Sequence, residues 1–336
     1  MDHDRQEAFG LGPVCLKKKN SWRAALEIVP ATLRDPRIET AMIGTRDGLT
    51  FEVDQCGEGD ELALCLHGFP EHSFSWRFQL PMLADLGFTA WAPNLRGYGN
   101  SVRPEGVQAY RVDELVEDVA RLIEVSGKRE VTLIAHDWGA VIAWQFALRE
   151  RLPLKRLIIC NVPHPQSMQD AFGWTQLKKS WYVFFFQLPW LPERGLGRDR
   201  AQPIAEIFRT TPNDPAQFPA EVCEVYRRNA AQPGALTAMV NYYRALFRGN
   251  RKRPRVDPRT PIEVPTLMVW GEDDMALDKS TTLTTGDYVK DFTIRYLPGV
   301  SHWVQQEQPG AVNAMISAFI RGEPVPEYQP ERDRLA

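Results

Sequence analysis

The stretch LIAHDWGAVIAW, residues 133–144, decides the fold of this chain. A short apolar run ends at His136-Asp137-Trp138-Gly139, and a helical pattern of small residues follows it. This order is typical of a sharp strand-to-helix turn that presents a nucleophile, usually a serine flanked by small residues. The central position here is Asp137. We therefore expect a carboxylate where a hydroxyl nucleophile commonly stands.

Strand and helix patterns alternate on both sides of this turn. Before it, RIETAMIG and LTFEVDQCG flank the hairpin turn TRDG, ELALCLHG and FTAWAPNL are strand-like, and RVDELVEDVARLIEVSG has helical spacing. After it come the helix WGAVIAWQFALRER, the strand LKRLIICNVP and, much later, the strands VPTLMVW and FTIRYLPG and the helix PGAVNAMISAFIRG. Such alternation predicts parallel βαβ units and a mostly parallel sheet.

The alternation is interrupted once. From about Pro163 to Asp257 there is no clear strand, and the segment is rich in aromatic and helix-compatible residues. An interruption of this length predicts a helical insertion into one α/β core. The predicted organisation is an N-terminal extension (1–36), an α/β core (37–163 and 257–322), an inserted helical cap (164–256) and a C-terminal tail (323–336).

The bulk composition argues against several classes of protein. Of the 336 residues 43% are hydrophobic, and the net charge of −3 gives no reason to expect a nucleic-acid partner. The basic clusters Lys17–Lys19 and Arg251–Arg255 are interpreted as solvated segments beside loops. No apolar run is long enough to span a bilayer, and MDHDRQEAFG lacks the apolar region of a signal peptide. We therefore expect a cytoplasmic protein.

The cysteines support the same compartment. They are scattered and form no C-x-x-C pair, and two of them lie in strand-like runs: Cys15, Cys56, Cys65, Cys160 and Cys223. We interpret them as buried free thiols in a reducing environment. No ligand cluster or nucleotide motif is recognisable, so the sequence predicts neither a metal nor an organic cofactor.

Polar residues follow four of the predicted strands. In a parallel sheet such residues collect at the carboxyl ends of the strands, where sites form. In chain order they are His67-Gly68-Phe69-Pro70, Asp137, Gly271-Glu272-Asp273-Asp274 and His302. A strand-end nucleophile, a later acid and a last histidine form the chain order of a hydrolytic triad.

Each position has a chemical reason. A carboxylate such as Asp137 is ionised at neutral pH and can attack saturated carbon without a base, giving an ester. His302 would activate water to break that ester, and Asp274 would orient and stabilise its imidazole. Backbone N–H groups of Phe69 and Trp138 would form the oxyanion hole. His67 and His136 are expected only to stabilise their turns.

Five motifs together resemble the α/β-hydrolase superfamily and, within it, the epoxide hydrolases. They are HGFPEHSFSWR, LRGYGNS, AHDWGAV, WGEDD and GVSHWVQQEQP, and the resemblance covers about residues 37 to 320. It implies an enzyme that converts an epoxide and water to a vicinal diol through an ester with Asp137. The triad acid would be Asp274 by the family's G-x-x-D spacing, although Asp273 is adjacent.

The same resemblance assigns roles in the cap. WYVFFFQLPWLPE is similar to the first tyrosine motif of epoxide hydrolases and NYYRALF to the second. It implies that Tyr182 and Tyr243, rather than the neighbouring Tyr242, hold and protonate the epoxide oxygen. Three further aromatic residues are predicted to contact the substrate: Trp138, Phe185 and Trp303.

Two alternatives remain open on the sequence. A haloalkane dehalogenase would share the aspartate nucleophile, but Phe69 stands where its halide-binding asparagine would be, and paired cap tyrosines have no use there. Some dehalogenases carry their acid after the strand that Asn161 follows here, and because Asn161 is not a carboxylate the acid must come from the loop that begins at Gly271. A hydrolase fold can also serve as a non-catalytic ligand-binding protein. The particular epoxide, the regio- and enantioselectivity and the oligomeric state are not predicted.

Overall fold

The structure, a computed structural model, describes residues 29–248 and 256–330. Within these ranges one sheet contains β1 Glu39–Gly44, β2 Thr50–Cys56, β3 Glu61–Leu66, β4 Phe88–Pro93, β5 Val131–His136, β6 Arg156–Cys160, β7 Thr266–Gly271 and β8 Phe292–Leu297. Their order across the sheet is β1-β2-β4-β3-β5-β6-β7-β8. The pairs β1–β2 and β2–β4 are antiparallel, and all other neighbours are parallel. The predicted mostly parallel sheet is confirmed.

The helices of the described residues alternate with the strands in the core and follow one another in the insertion. They are α1 Gln79–Asp85, α2 Val112–Ser126, α3 Trp138–Leu148, α4 Pro165–Asp170, α5 Trp174–Lys179, α6 Trp181–Phe185, α7 Leu191–Leu196, α8 Arg198–Thr210, α9 Ala220–Ala230, α10 Ala235–Arg248, α11 Val304–Glu307 and α12 Pro309–Arg321. Helix α1 was not predicted, because QLPMLAD is short and contains a proline.

Both faces of the sheet are covered. Alternate residues of β3 point to opposite sides, so that Leu62 and Leu64 join the apolar layer that contains residues of α2 and α3. Ala63 and Cys65 join the opposite layer, with residues of α1 and α12. Burial on both faces explains why these strands are apolar runs without polar alternation.

Helices α4 to α10 lie between β6 and β7 and form the predicted insertion, which we call the cap. No named strand occurs in the described residues between the end of β6 and the start of β7. The predicted fold class, an α/β-hydrolase core with an inserted helical cap, is confirmed. The first cap helix begins at Pro165, and the last ends at Arg248, beside residues 249–255 that lie outside the described ranges.

Some predictions concern residues that the structure does not describe. They are most of the N-terminal extension, both basic clusters and Cys15. The other four cysteines are buried free thiols, as predicted, and burial raises the pKa of Cys65 and Cys160 above its ordinary value. No helix in the described part of the chain is long and apolar enough to cross a membrane.

Candidate active site

The turn between β5 and α3 holds the carboxylate of Asp137, the predicted nucleophile. Asp137 has φ 46° and ψ −121°, a conformation that non-glycine residues rarely adopt. Two residues later, a side chain at Gly139 would collide with the backbone oxygen of Leu66 at the end of β3. Glycine therefore lets α3 start close against the sheet, and the carboxylate of Asp137 stands at the carboxyl end of the strands.

The three residues predicted as a triad are brought together. His302 Nδ1 lies 2.6 Å from Asp274 Oδ2, and His302 Nε2 lies 3.6 Å from Asp137 Oδ2. All three side chains are largely buried, with exposed fractions of 5% for His302, 0% for Asp274 and 16% for Asp137. The imidazole ring therefore stands between two carboxylates that come from different strand ends.

The structure distinguishes the two adjacent acids after β7. Asp274 Oδ1 accepts the backbone N–H groups of Ala276 at 2.7 Å and Leu277 at 2.9 Å. Its Oδ2 also accepts the amide of Asn161 at 2.8 Å. Asp273 is exposed and accepts a hydrogen bond from Asn213 in the cap. Asp274, and not Asp273, is therefore the acid that faces His302.

The charges of this cluster reinforce one another. Burial lowers the pKa of His302, but the charge of Asp274 and the contacts with Asp137 outweigh burial and raise it to about 10. Burial raises the pKa of Asp137 and of Asp274, yet the contact with His302 outweighs it in both, so that each carboxyl has a lowered pKa. At neutral pH the site thus holds an imidazolium between two carboxylates.

The turn after β3 supplies a donor to the central carboxylate. The backbone N–H of Phe69 donates to Asp137 Oδ1 at 2.6 Å. The Phe69–Pro70 peptide bond is cis. A side chain at Gly68 would overlap the carboxylate, so glycine is required for this close approach. The Phe69 donor that the sequence analysis predicted is in contact with the carboxylate oxygen.

A buried network that the sequence analysis missed lies behind the site. His136 and Glu71 have no exposed surface, and His136 Nδ1 lies 2.7 Å from Glu71 Oε2. His136 Nε2 lies 2.8 Å from the carbonyl oxygen of His302, which can only accept, so this nitrogen carries a proton. Glu71 accepts three more hydrogen bonds, from Gly68 N, Gln305 Nε2 and Gln306 Nε2. The network connects the three loops that carry Phe69, Asp137 and His302.

The position of His67 agrees with its predicted structural role. Its ring is fully buried, Nδ1 lies 3.0 Å from the Gly68 carbonyl oxygen, and Nε2 accepts the N–H of Leu95 at 3.0 Å. Burial lowers the pKa of His67 to about 4. It is therefore a neutral hydrogen-bonding residue of the turn.

A cavity of about 750 Å³ opens above the carboxylate. It is lined by Asp137 and Trp138 from the core and by Tyr182 and Tyr243 from the cap. Much of the remaining wall is apolar, and the residues concerned are Val141, Trp144, Val162, Pro163, Pro165, Met168, Val183, Leu246 and Leu277. Its volume is within the range of sites for small organic ligands, and its lining suits a lipophilic one.

The two predicted cap tyrosines lie side by side in the cavity wall. Their ring centroids are 5.9 Å apart, at an angle of 81°. Burial, together with the charge of Asp137, raises the pKa of both phenols above the ordinary value. The neighbouring Tyr242 does not line this cavity, since its hydroxyl donates to the carbonyl oxygen of Arg96 at 2.8 Å.

Two predicted substrate contacts are not found in the wall of this cavity. Phe185 packs between Trp181 and Phe186 within the cap. Trp303 is buried beside His302, and its indole N–H donates to Thr211 at 2.8 Å. Trp138 does line the cavity, at the start of α3. Phe185 and Trp303 pack against neighbouring aromatic residues, and their contact with a substrate stays a prediction.

The acidic, histidine and cysteine side chains of the described residues form no metal site. Within 29–248 and 256–330, no three His, Cys, Asp or Glu side chains are grouped so that they could hold a metal ion. The groups that the structure brings together at the site are two carboxylates, an imidazole, two phenols and a backbone N–H group.

Comparison with known proteins agrees with this arrangement. Residues 63–309 match the family described as alpha/beta hydrolase fold. The chain is 35% identical to epoxide hydrolase 2 of Caenorhabditis elegans over 81% of its length and 76% of that protein. It is 35% identical to human epoxide hydrolase 4 over 94% of its length and 87% of that protein. Among solved structures it is similar to the Bacillus megaterium epoxide hydrolase bound to an inhibitor, with a TM-score of 0.75, 30% identity and coverage of 83% and 99%.

Proposed function

The chain belongs to the alpha/beta hydrolase fold family and, within it, to the epoxide hydrolases, and from this premise we propose that it converts lipophilic epoxides to vicinal diols through an ester of Asp137. One observation carries the proposal: the carboxylate of Asp137 faces an imidazole, His302, that is paired with Asp274 at 2.6 Å, and it lies in the same cavity as two phenols.

The first step opens the epoxide ring. A carboxylate oxygen of Asp137 attacks a ring carbon, the carbon–oxygen bond of the ring breaks, and the ring oxygen receives a proton from Tyr182 or Tyr243. The raised pKa of both phenols keeps them protonated at neutral pH, so that they can act as donors. The developing alkoxide is a stronger base than a phenolate, and it takes the proton. The product of this step is a hydroxyalkyl ester of Asp137.

Formation of the ester changes the state of His302. The negative charge of Asp137, one of the causes that raise the pKa of His302 to about 10, disappears when the ester forms. The pKa of His302 therefore falls, and the imidazolium can release its proton, which balances the one that the phenol gave up. His302 therefore becomes a neutral base at the stage at which hydrolysis of the ester needs one. Asp274 remains to orient the ring and stabilise its protonated form.

The second step hydrolyses the ester. His302 removes a proton from water, the oxygen of which attacks the carbonyl carbon of the Asp137 ester. The N–H group of Phe69, after β3, and that of Trp138, at the N-terminal and therefore positive end of α3, would stabilise the negative oxygen of the tetrahedral intermediate. Loss of one such donor costs roughly 2.7–4 kcal/mol in other hydrolases. Collapse breaks the bond between the carbonyl carbon and the alkyl oxygen, which takes the proton of the added hydroxyl and leaves as the diol, and it restores the carboxylate of Asp137 and the imidazolium of His302.

A single turnover in heavy-oxygen water tests the proposal. With enzyme in excess over a styrene-type or aliphatic epoxide, the label should enter the peptide that contains Asp137, while the diol remains largely unlabelled. The variant His302→Gln should still open the epoxide and then stall, so that its mass increases by that of one substrate molecule. A first-turnover diol that carries solvent oxygen directly would mean that Asp137 acts as a general base and not as a nucleophile.

A substrate panel separates the proposal from its alternatives. Haloalkanes should be included beside the epoxides, with halide and diol measured separately. Halide release at rates equal to those of the best epoxide would favour a dehalogenase. Absence of turnover with every compound, from a folded protein, would favour a ligand-binding role.

A further inference from the structure

The cap exposes an unusual number of large apolar side chains. Seven of the eleven such side chains that the described residues expose lie in α6, α7, the segment between them and the end of α10. We define the cap aromatic patch as six of these residues: Trp181, Phe184, Leu188, Trp190, Leu191 and Phe247. The seventh exposed residue, Leu246, lies beside Phe247 in α10 and is not counted in the patch. Exposed apolar clusters of this size mark sites of interaction, because they are unfavourable in water.

Contacts within the cap join the segments that carry these residues. The rings of Phe184 and Phe247 are 6.3 Å apart. The guanidinium of Arg244 donates to the carbonyl oxygen of Leu188 at 2.6 Å and fixes the segment before α7 against α10. Trp190 has φ 51°, in the left-handed region that is unfavourable for a bulky residue, and its side chain is 63% exposed. The fold thus keeps an indole in solvent at some cost in backbone strain.

Basic residues outnumber acidic ones in the segments that carry the patch. Residues 171–200 and 241–248 contain seven lysines and arginines but only two acidic residues, whereas the whole chain has a net charge of −3. One of the two acids, Glu193, is paired with Arg244. Exposed basic residues in these segments include Lys178, Arg194 and Arg198. Tryptophan and phenylalanine bordered by basic residues are typical of surfaces that bind anionic lipid headgroups and the adjacent acyl region.

The patch and the cavity share two helices. Tyr182 and Val183 of α6 line the cavity, while Trp181 and Phe184 of the same helix are exposed. On α10, Leu246 both lines the cavity and is 48% exposed. A ligand at the outer surface of the patch is therefore separated from the cavity by a single layer of helices.

We propose that the cap aromatic patch docks the protein on a membrane surface that contains anionic lipid, with its aromatic side chains at the boundary of headgroups and acyl chains. Docking goes beyond the proposed function and does not require it. If the proposed function holds, docking also places the cavity beside the phase in which a lipophilic epoxide dissolves.

The test is co-sedimentation of the full chain with vesicles of phosphatidylcholine alone and of phosphatidylcholine mixed with phosphatidylglycerol. We expect binding to the mixed vesicles that weakens as salt is added. The double variant Trp181→Ser, Trp190→Asn should lower the partition coefficient onto mixed vesicles about tenfold or more, because it removes two indoles that would be buried at the membrane surface. Replacing either Arg194 or Arg198 by serine should lower the partition coefficient about fivefold.

A matched control and two opposing results complete the test. Leu283→Ser removes a large exposed side chain, 69% accessible, from outside the patch and should leave binding unchanged. Thermal unfolding and turnover of a water-soluble epoxide should be the same in all these variants. The proposal is wrong if the wild-type chain does not bind mixed vesicles. It is also wrong if the chain is a dimer in sedimentation experiments that the Trp181→Ser, Trp190→Asn pair converts to a monomer, because the patch is then an interface between two copies.

Discussion

The core and the cap contribute to one cavity in different ways. In the core, Asp137, Asp274 and His302 stand at strand ends and are largely buried, and Asp274 holds the ring of His302 at 2.6 Å. In the cap, Tyr182 and Tyr243 stand on helices whose positions depend on side-chain packing. Strand ends are set by sheet topology, whereas helix faces are set by their neighbours. We infer that the core supplies the nucleophile and the base, and that the cap supplies the proton donors together with part of the apolar wall.

Loss of the central carboxylate should have the largest effect. Asp137→Ala should lower turnover by roughly 10⁶-fold, as removal of a nucleophile does in other triad enzymes. It should also abolish the covalent adduct in mass spectra of enzyme mixed with substrate. Turnover within tenfold of wild type, in a variant with unchanged thermal unfolding, would contradict a nucleophilic role for Asp137.

The adjacent acids after β7 provide a matched pair for the next effect. Asp274→Asn keeps the shape but removes the charge that His302 faces, and turnover should fall by about 10⁴-fold, by analogy with the acid of serine hydrolases. Hydrolysis should suffer more than alkylation, so the ester should accumulate. Asp273→Asn should remain near wild type, because that carboxylate bonds only to Asn213 among the described contacts. Equal losses in both variants would contradict the assignment of the acid.

The cap tyrosines should have an intermediate effect. Tyr182→Phe or Tyr243→Phe alone should slow alkylation while the other phenol partly compensates, and the double variant should lose roughly 10²–10⁴-fold, the usual worth of general-acid catalysis. The measurement is the rate of adduct formation in a single turnover. Tyr242→Phe is the control: it removes the hydrogen bond to Arg96 and should cost about 1 kcal/mol of stability without slowing alkylation.

The same contrast explains what the sequence could predict. The alternating pattern gives the strand ends, and the residues at those ends are Asp137, Asp274 and His302, so the site of the core follows from topology. The choice between Asp273 and Asp274 does not, because it depends on which side chain the loop turns inward. In the structure the N–H groups of Ala276 and Leu277 bind Asp274.

The sequence does not predict the position of residues whose role depends on their neighbours in the fold. Glu71 was missed because a carboxylate after a turn is usually solvated, and buried ones are rare. Its only sequence signal is its position directly after the HGFP turn. Phe185 and Trp303 were predicted to contact substrate, yet they pack against Trp181 and His302. The direction of a side chain on a short helix cannot be derived from a pattern of aromatic residues.

The last prediction concerns stability in place of turnover, and it measures the electrostatics of the core. Below a pH of about 6.5, the ordinary pKa of histidine, both the folded and the unfolded chain hold the His302 proton, and its stabilisation is fully present. Between pH 6.5 and the folded-state pKa of about 10, only the folded chain holds it. The contribution of this group to the free energy of unfolding should therefore fall by about 1.4 kcal/mol for each pH unit across that window. Urea unfolding of wild type and His302→Gln at several pH values measures this contribution together with the response of Asp137 and Asp274, whose pKa values depend on His302. Tyr182→Phe should retain the wild-type slope, because the pKa of that phenol is raised further above its ordinary 10.0. Parallel curves for wild type and His302→Gln would mean that the imidazole is neutral in the folded enzyme, and the proposed fall in its pKa on ester formation would then lose its basis.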